Sequence, residues 1–241
     1  MVILLTACVN PNGMAFTKLN DQKLRLNQYK SSIKFYLENT DKQIIVVENT
    51  GYDFSNDFIS YVYKQRLECL TFDGNNYNKS LGKGYGESLI IDYALKNSRF
   101  INKDDVIIKI TGRYIVSNII EILSLIKDES YAYVNISRIK GNFLCDSRLF
   151  AAPITFFTNY FFSYQERLND SKGFYFEHAL YHSIKRWVTN KNKFKEFRYP
   201  FIFNGVTGST GRQITNSRTS YIKSFIKYYL HKIGIFENRK K

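Results

Sequence analysis

Polar and apolar positions fall into two kinds of block along this chain. Short, nearly unbroken apolar runs occur at residues 2–9 (VILLTACV), 43–47 (QIIVV) and 105–110 (DVIIKI), with further strand-like stretches at 69–72 and 131–137. Each of the first three ends in polar turn residues: Asn10-Pro11-Asn12-Gly13, Glu48-Asn49-Thr50-Gly51 and Thr111-Gly112-Arg113-Tyr114. Between the runs lie stretches with apolar residues nearer to helical spacing, at about 18–39, 57–63, 84–97 and 118–127. The first of these is only loosely periodic, through Leu19, Leu24, Leu26, Ile33, Tyr36 and Leu37. Strands that read as continuous apolar runs are covered on both faces, and their alternation with helices predicts a mainly parallel α/β sheet. Ligands of such sheets bind beyond the carboxyl ends of the strands, which is where the polar turns collect.

Composition agrees with an ordered domain: 44% of residues are hydrophobic and 17% aromatic, enough for a core, with only 3 prolines. No apolar run approaches the roughly 18 residues of a membrane span. Cys8, Cys69 and Cys145 are far apart and lie in apolar settings, so the expectation is buried thiols, with neither a disulfide framework nor a zinc site. Leu5-Thr6-Ala7-Cys8 also fits the short pattern at which bacterial lipoproteins are cut. Only seven residues precede that cysteine and none is basic, so the stretch is read as the first strand.

Charge changes the picture more. From residue 183 onward lie 14 of the 35 Lys and Arg but only 2 of the 21 acids, so this segment carries +12 of the net +14. Within it, Ile222, Phe225, Ile226, Tyr229, Leu230 and Ile233 share one face of an expected helix, opposite Lys223, Lys227, His231 and Lys232. A helix of that kind suits an anionic membrane surface, and ordinary core packing is the competing reading. The expected division is a catalytic body at 1–212 and a basic amphipathic tail at 213–241.

Several clusters carry candidate chemistry. The loop Gly82-Lys83-Gly84-Tyr85-Gly86-Glu87 opens a helix whose first amides suit an anion, although it matches neither the Walker nor the dinucleotide pattern. Lys109 lies inside an apolar strand and must find an anionic partner or an exit to solvent; Arg113 follows at the strand end. Asp146-Ser147-Arg148 is a charged triplet after a Gly-Asn loop, and Ser209 to Arg212 close a Gly/Ser/Thr loop able to cradle a phosphate. Glu177 stands among aromatic residues that favour a general base, or alternatively pairs with Arg186. His178 and His182 have metal-ligand spacing, but the sequence offers no third ligand, and zinc is not expected.

Taken in order, these elements resemble the GT-A class of nucleotide-sugar glycosyltransferases, the small bacterial enzymes that build O-antigen or capsular polysaccharide. The matching stretches are ILLTACVNPNG, IIVVENTG and NKSLGKGYGESLIIDYAL, followed by KITGRY, DSRLF and FEHAL. The resemblance implies a GT-A-like, Rossmann-like sheet and transfer of a sugar to a lipid-linked saccharide on the cytoplasmic face of the membrane. Thr6, Cys8, Asn10, Glu48, Asn49 and Glu87 would hold the donor, with Lys83, Lys109 and Arg113 balancing its diphosphate. Glu177 would be the base of an inverting reaction. Asp146, Arg148, Ser209 and Arg212 would serve the acceptor or the diphosphate.

Where the class carries a metal-binding D-x-D pair, this chain has Lys109 and Arg113. The resemblance then implies a metal-independent enzyme. Mg or Mn is disfavoured, and Asp146 is the ligand if there is one. Two rivals remain. A sugar-phosphate nucleotidyltransferase shares the sheet, but the VNPNG loop lacks the basic cluster expected of its phosphate grip. A basic nucleic-acid binder is suggested by the pI near 9.5. Confinement of the charge to the tail argues against nucleic acid.

Overall fold

The computed structural model describes residues 1–14, 17–139, 141–208 and 210–214, together with Ile222, Phe225, Ile226 and Tyr229. In chain order its elements begin with β1 (Val2–Ala7), α1 (Gln22–Asn39), β2 (Ile44–Glu48), α2 (Ile59–Tyr63) and β3 (Leu67–Thr71). They continue through α3 (Lys83–Asn97), β4 (Val106–Thr111), β5 (Ile115–Val116), α4 (Ile119–Leu123), β6 (Ala132–Tyr133), β7 (Ile136–Ile139) and β8 (Asn142–Cys145). The last are β9 (Leu149–Pro153), α5 (Ile154–Phe156), α6 (Phe176–Thr189), β10 (Phe194–Lys195) and β11 (Phe203–Asn204).

Among the described residues, seven strands form one sheet in the order β10-β6-β9-β4-β1-β2-β3. It is a mostly parallel, Rossmann-like α/β sheet flanked by helices; β9 alone runs antiparallel, between β4 and β6. Every residue of β1 and β2 is buried, as their continuous apolar runs require. Alternate residues of β1 serve two cores. Ile3, Leu5 and Ala7 pack with Ile33, Tyr36 and Leu37 of α1. Val2 and Leu4 face the other layer, with Ile90 and Ile91 of α3 and with Leu180 and Trp187 of α6. The chain leaves β1 toward β2 and β3 on one side and returns to β4 on the other. This reversal is the switch point at which such sheets open a crevice.

One expected element differs. The run at 131–137 divides: β6 joins the main sheet, whereas β7 leaves it to pair with β8 in a hairpin. Through the aromatic stretch TFFTNYFF, α5 passes into a π-turn at Phe157–Phe161 and then a 3-10 turn at Phe162–Arg167. Phe156, Phe157 and Phe161 all enter the core, and the wider turn brings their directions closer together.

Residues on both sides of the expected boundary at 212/213 pack together, with Val206 bridging Gln213 and the Ile214 amide donating to Gly205 O. Ile222, Phe225, Ile226 and Tyr229 are helical, and the Phe225 and Tyr229 rings lie 4.6 Å apart. The lysines assigned to the other face of that helix lie outside the described residues. No helix among the described residues is long and apolar enough to cross a membrane. The three cysteines are free, and burial pushes the thiols of Cys8 and Cys69 up to about 11 and about 12.

Candidate functional site

The carboxyl ends of β1, β2 and β4 converge on one cleft. Gly112 makes the close approach possible: its amide donates to Thr6 O at 2.9 Å, and a Cβ there would stand only 2.7 Å from that oxygen. Glu48, fully buried, binds the exits of β1 and β2 together. Its carboxylate accepts from the amides of Val9, Thr50 and Tyr52 and from the Thr50 hydroxyl. With four donors satisfied and no exposed surface, Glu48 shapes the cleft from behind and does not line it. Arg25 of α1 also fixes the β1 exit, donating through Nε and Nη2 to Cys8 O and through Nη1 to Leu19 O, and it lines the cleft itself. Asn10 does not line the cleft: its carbonyl accepts from Asn75 Nδ2 and its Oδ1 from the Asn12 amide.

The cleft has an inner and an outer lobe. Thr6, Ala7, Cys8, Met14, Asn49 and Tyr77 help line the inner one, and Ser147, Arg148, Asp170, Tyr175 and Glu177 the outer. Lys83, Glu87, Thr111, Arg113 and Gly208 belong to both and form a waist between them.

At the waist lies a polar hub built on Glu87 of α3. Its Oε1 accepts from Thr6 Oγ1 at 2.9 Å and Thr111 Oγ1 at 3.2 Å, and meets Lys109 Nζ at 2.5 Å. Lys109 has no exposed surface and donates also to Ser147 O at 2.6 Å, between the rings of Phe150 and Phe176. The strand lysine thus finds its anion inside the fold and is not a free cation facing the cleft. Glu87 Oε2 is left without a protein partner among the described residues. Arg113 is 8% exposed and donates Nη1 to Val206 O at 2.8 Å. Among the described residues no carboxylate lies within 4.0 Å of the side-chain nitrogens of Arg113 or Lys83, which leaves the charge of both open to a ligand.

The start of α3 is occupied from within. Asp170 Oδ2 accepts from the Lys83 amide at 3.1 Å, and Ser171 Oγ donates to Ser80 O at 2.6 Å, docking the 169–174 turn on the glycine loop. Gly82, at φ +83°, admits this contact, because a Cβ would fall 2.2 Å from Asp170 Oδ2. Burial raises the Asp170 carboxyl to about 6, assisted by the charge of Glu177 and opposed by Lys83 and the α3 amides.

In the outer lobe Glu177 accepts from Ser147 Oγ at 2.7 Å, and Arg186 instead donates to Ser163. Asp146 holds Arg148 with both oxygens, at 2.9 and 2.7 Å, while the Arg148 guanidinium lies 4.3 Å from the Phe203 ring centre. Arg212 is exposed beside Thr207 and Thr210, off the cleft; Ser209 lies outside the described residues. His178 accepts from the Tyr175 amide and stacks on Phe174, and His182 stacks between Phe174 and Tyr164. No group of three or more His, Cys, Asp or Glu among the described residues is placed to hold a metal ion.

The structure therefore gathers Thr6, Cys8, Asn49, Lys83, Glu87, Arg113, Arg148 and Glu177 around one cleft, with Lys109 just beneath it. Sequence reasoning passed through Thr111 and Ser147 in its candidate motifs without giving either a role, and missed Tyr77, Asp170 and Arg25, the last a lining residue of the inner lobe. Arg25 alone left a signal, as a charge one turn before Tyr29 on the buried stripe of α1.

No protein-family model and no curated protein matches this chain. Among solved structures it is similar to the inositol-1-phosphate CTP transferase from T. maritima, at 13% identity over 93% of this chain and 95% of that one, with a TM-score of 0.49. It is similar also to HddC from Yersinia pseudotuberculosis, at 14% identity over 95% and 100%, TM-score 0.40. A third is 4-diphosphocytidyl-2C-methyl-D-erythritol synthase from Anaerococcus prevotii, at 9% identity over 95% and 96%, TM-score 0.37. At these identities the likeness is one of architecture.

The comparisons nevertheless correct the glycosyltransferase expectation, which rested on the order of elements. Two of these proteins are named for CTP or diphosphocytidyl chemistry and none for glycosyl transfer. The O-antigen and capsule role falls with it. So do the nucleotide-sugar donor, the lipid-linked acceptor and the anionic membrane surface as partners.

Proposed function

We propose that this protein is a nucleotidyltransferase joining a nucleoside triphosphate to a phosphorylated sugar or polyol. The observation that carries the reading is the shared waist: two lobes, each able to hold a substrate, meet at Lys83, Arg113, Glu87 and Thr111. The inner lobe, walled by Pro11, Met14, Tyr77 and Ile90, suits a nucleoside. The outer lobe suits a polar second substrate, with Ser147, Arg148 and Glu177 as its hydrogen-bonding groups.

In this reaction a phosphate-monoester oxygen attacks the α-phosphorus, the bond from that phosphorus to the bridging oxygen breaks, and pyrophosphate leaves. The attacking oxygen is already ionised at neutral pH, so the demand on the protein is alignment and charge stabilisation. Arg113 and Lys83 supply positive charge at the waist, where charge develops. Both are brought by the fold to a site whose VNPNG loop carries none, which answers the sequence-level objection to this chemistry. A magnesium ion arriving with the triphosphate needs only one or two protein carboxylates, and Glu87 Oε2 is available to it. Such an ion would neutralise phosphate charge.

The test is pyrophosphate release from each of CTP, UTP, ATP and GTP, with a panel of sugar 1-phosphates and polyol phosphates, in magnesium and in chelator. One pair should release pyrophosphate and yield the corresponding nucleoside diphosphate adduct by mass. Silence across the panel with folded protein would reject the proposal.

A further inference from the structure

The Asn12-Gly13 pair in the turn after β1 has no part in the proposed reaction, and it carries a chemistry of its own. The Met14 amide donates to Pro11 O at 3.0 Å, closing a turn whose central residues, Asn12 and Gly13, stand at φ +43° and +72°. Positive φ at both central positions is the mark of a type I′ turn, and Asn-Gly is the pair that tolerates it best. Both residues are exposed, and a Cβ on Gly13 would meet nothing within 4 Å. Among the described residues neither the Asn12 carboxamide nor the Gly13 amide makes a hydrogen bond. The carboxamide carbon and the amide nitrogen that follows it are therefore unshielded, with room to approach each other.

The chain holds a second Asn-Gly pair, Asn204-Gly205, in a setting of the opposite kind. Asn204 belongs to β11, pairs with Ile115 and donates Nδ2 to Ser117 Oγ at 2.5 Å. Gly205 lies against Arg113 O, 3.0 Å from where a Cβ would stand, and its own carbonyl accepts from the Ile214 amide. There the carboxamide is held and the backbone is packed, so the two atoms are kept apart.

We infer that Asn12 is a site of spontaneous deamidation through a cyclic imide with Gly13, and that the modified turn weakens binding in the inner lobe. The Gly13 nitrogen gives its proton to hydroxide and attacks Asn12 Cγ; the N–Cγ bond forms, the Cγ–Nδ2 bond breaks, and ammonia leaves with a proton from water. Water then opens the imide at one of its two carbonyls. Opening at Cγ leaves an aspartate, and opening at the main-chain carbonyl leaves an isoaspartate, whose chain runs through Cβ. Pro11 and Met14, which flank the pair, line the inner lobe. Both products bring a negative charge beside that lobe, and the isoaspartate also lengthens the turn that places those two residues. The effect on binding rests on the nucleotide reading above; the modification itself does not.

The experiment ages the folded, full-length protein at mildly alkaline pH and follows both Asn-Gly pairs by peptide mapping with mass spectrometry. A synthetic peptide of residues 9–18 sets the rate of the unfolded chain. The Asn12 peptide should gain the mass difference between a carboxyl and a carboxamide, split into two products, at a rate that rises with hydroxide activity. The Asn204 peptide should stay unmodified over the same period. Calorimetry with CTP, UTP, ATP and GTP then compares fresh and aged protein. Ageing should weaken the preferred nucleotide about fivefold, whereas Asn12→Gly, which accepts the positive φ and lacks the carboxamide, should keep its affinity. An Asn12 that stays intact while the free peptide converts, or an Asn204 that converts as fast as Asn12, would overturn the modification. Undiminished affinity in protein shown to be modified would overturn the link to the cleft and leave the modification standing. If fresh protein binds none of the four nucleotides, the nucleotide reading falls together with that link, while the mass spectra still decide the modification.

Discussion

Replacing Lys109 with Met tests the electrostatic design of the cleft floor. The substitution keeps the length of the side chain between Phe150 and Phe176 but removes the charge facing Glu87 at 2.5 Å. Glu87 is then held only by the hydroxyls of Thr6 and Thr111, and Ser147 O loses its donor. Because Lys109 has no exposed surface, water cannot replace it. Removing one member of a buried pair costs about 3–5 kcal/mol, chiefly as the charge left behind, whereas neutralising both members costs far less. Lys109→Met and Glu87→Gln should therefore each lose about 3–5 kcal/mol, and the double variant about as much as one of them. Urea denaturation at neutral pH reads the three values from midpoints at constant slope. If Lys109→Met loses under about 1 kcal/mol, or the two losses simply add, the hub is not an ion pair of the kind the geometry describes.

Other outcomes follow from single contacts. The Asp170 carboxyl, raised by burial to about 6 in the fold from its ordinary 3.8, takes up a proton in the folded protein before the unfolded chain does. Its contribution to stability therefore grows as pH falls from about 7 to about 4, and the difference between wild type and Asp170→Asn measured across that window should show this slope; a flat difference refutes it. Gly112→Ala drives a Cβ to 2.7 Å from Thr6 O, a backbone atom, and should cost about 1–3 kcal/mol in thermal unfolding. Gly208→Ala meets only the tip of Arg113, at 2.6 Å from Nη2, so it should melt near wild type yet lose kcat/KM as the guanidinium moves. The reverse ranking of these two glycines would contradict the packing at the waist. Arg113→Ala should lower kcat/KM for nucleotidyl transfer by about 10²–10³-fold in a folded protein; undiminished turnover removes the residue from the reaction.

The parts of the fold legible in the sequence are those whose burial is uniform. β1, β2 and β4 read directly from VILLTA, IIVVE and VIIKIT, and the turns after them mark the cleft edge. Helix α1 read poorly because its buried stripe includes Arg25 and Ser32 beside Tyr29, Ile33, Tyr36 and Leu37. Those two polar residues are there to serve loop carbonyls, Arg25 at Cys8 O and Ser32 at Tyr114 O, so the helix departs from simple periodicity where it supports the site. β9 was hidden for another reason: it is an antiparallel insertion with five residues, directly after the charged Asp146-Ser147-Arg148 turn.

The chemistry was less legible than the fold because each functional group acquires its state from a distant partner. Lys109 announced that an anion must be near, but nothing in its strand names Glu87, 22 positions earlier and on a helix. Asp170 sits in an ordinary turn and becomes a helix cap only because Gly82 leaves room for it. The order of strands and helices locates the crevice, since the reversal around β1 does so in any sheet of this topology. It does not select the bond that is broken there. What the site can hold depends on which charges remain unspent once internal pairing is complete: Lys109, Glu48 and Asp146 are committed inside the fold, while Lys83, Arg113 and one oxygen of Glu87 are not. Two cations and one carboxylate oxygen at the meeting of two lobes form an arrangement for handling phosphates, which is what the proposed nucleotidyl transfer requires.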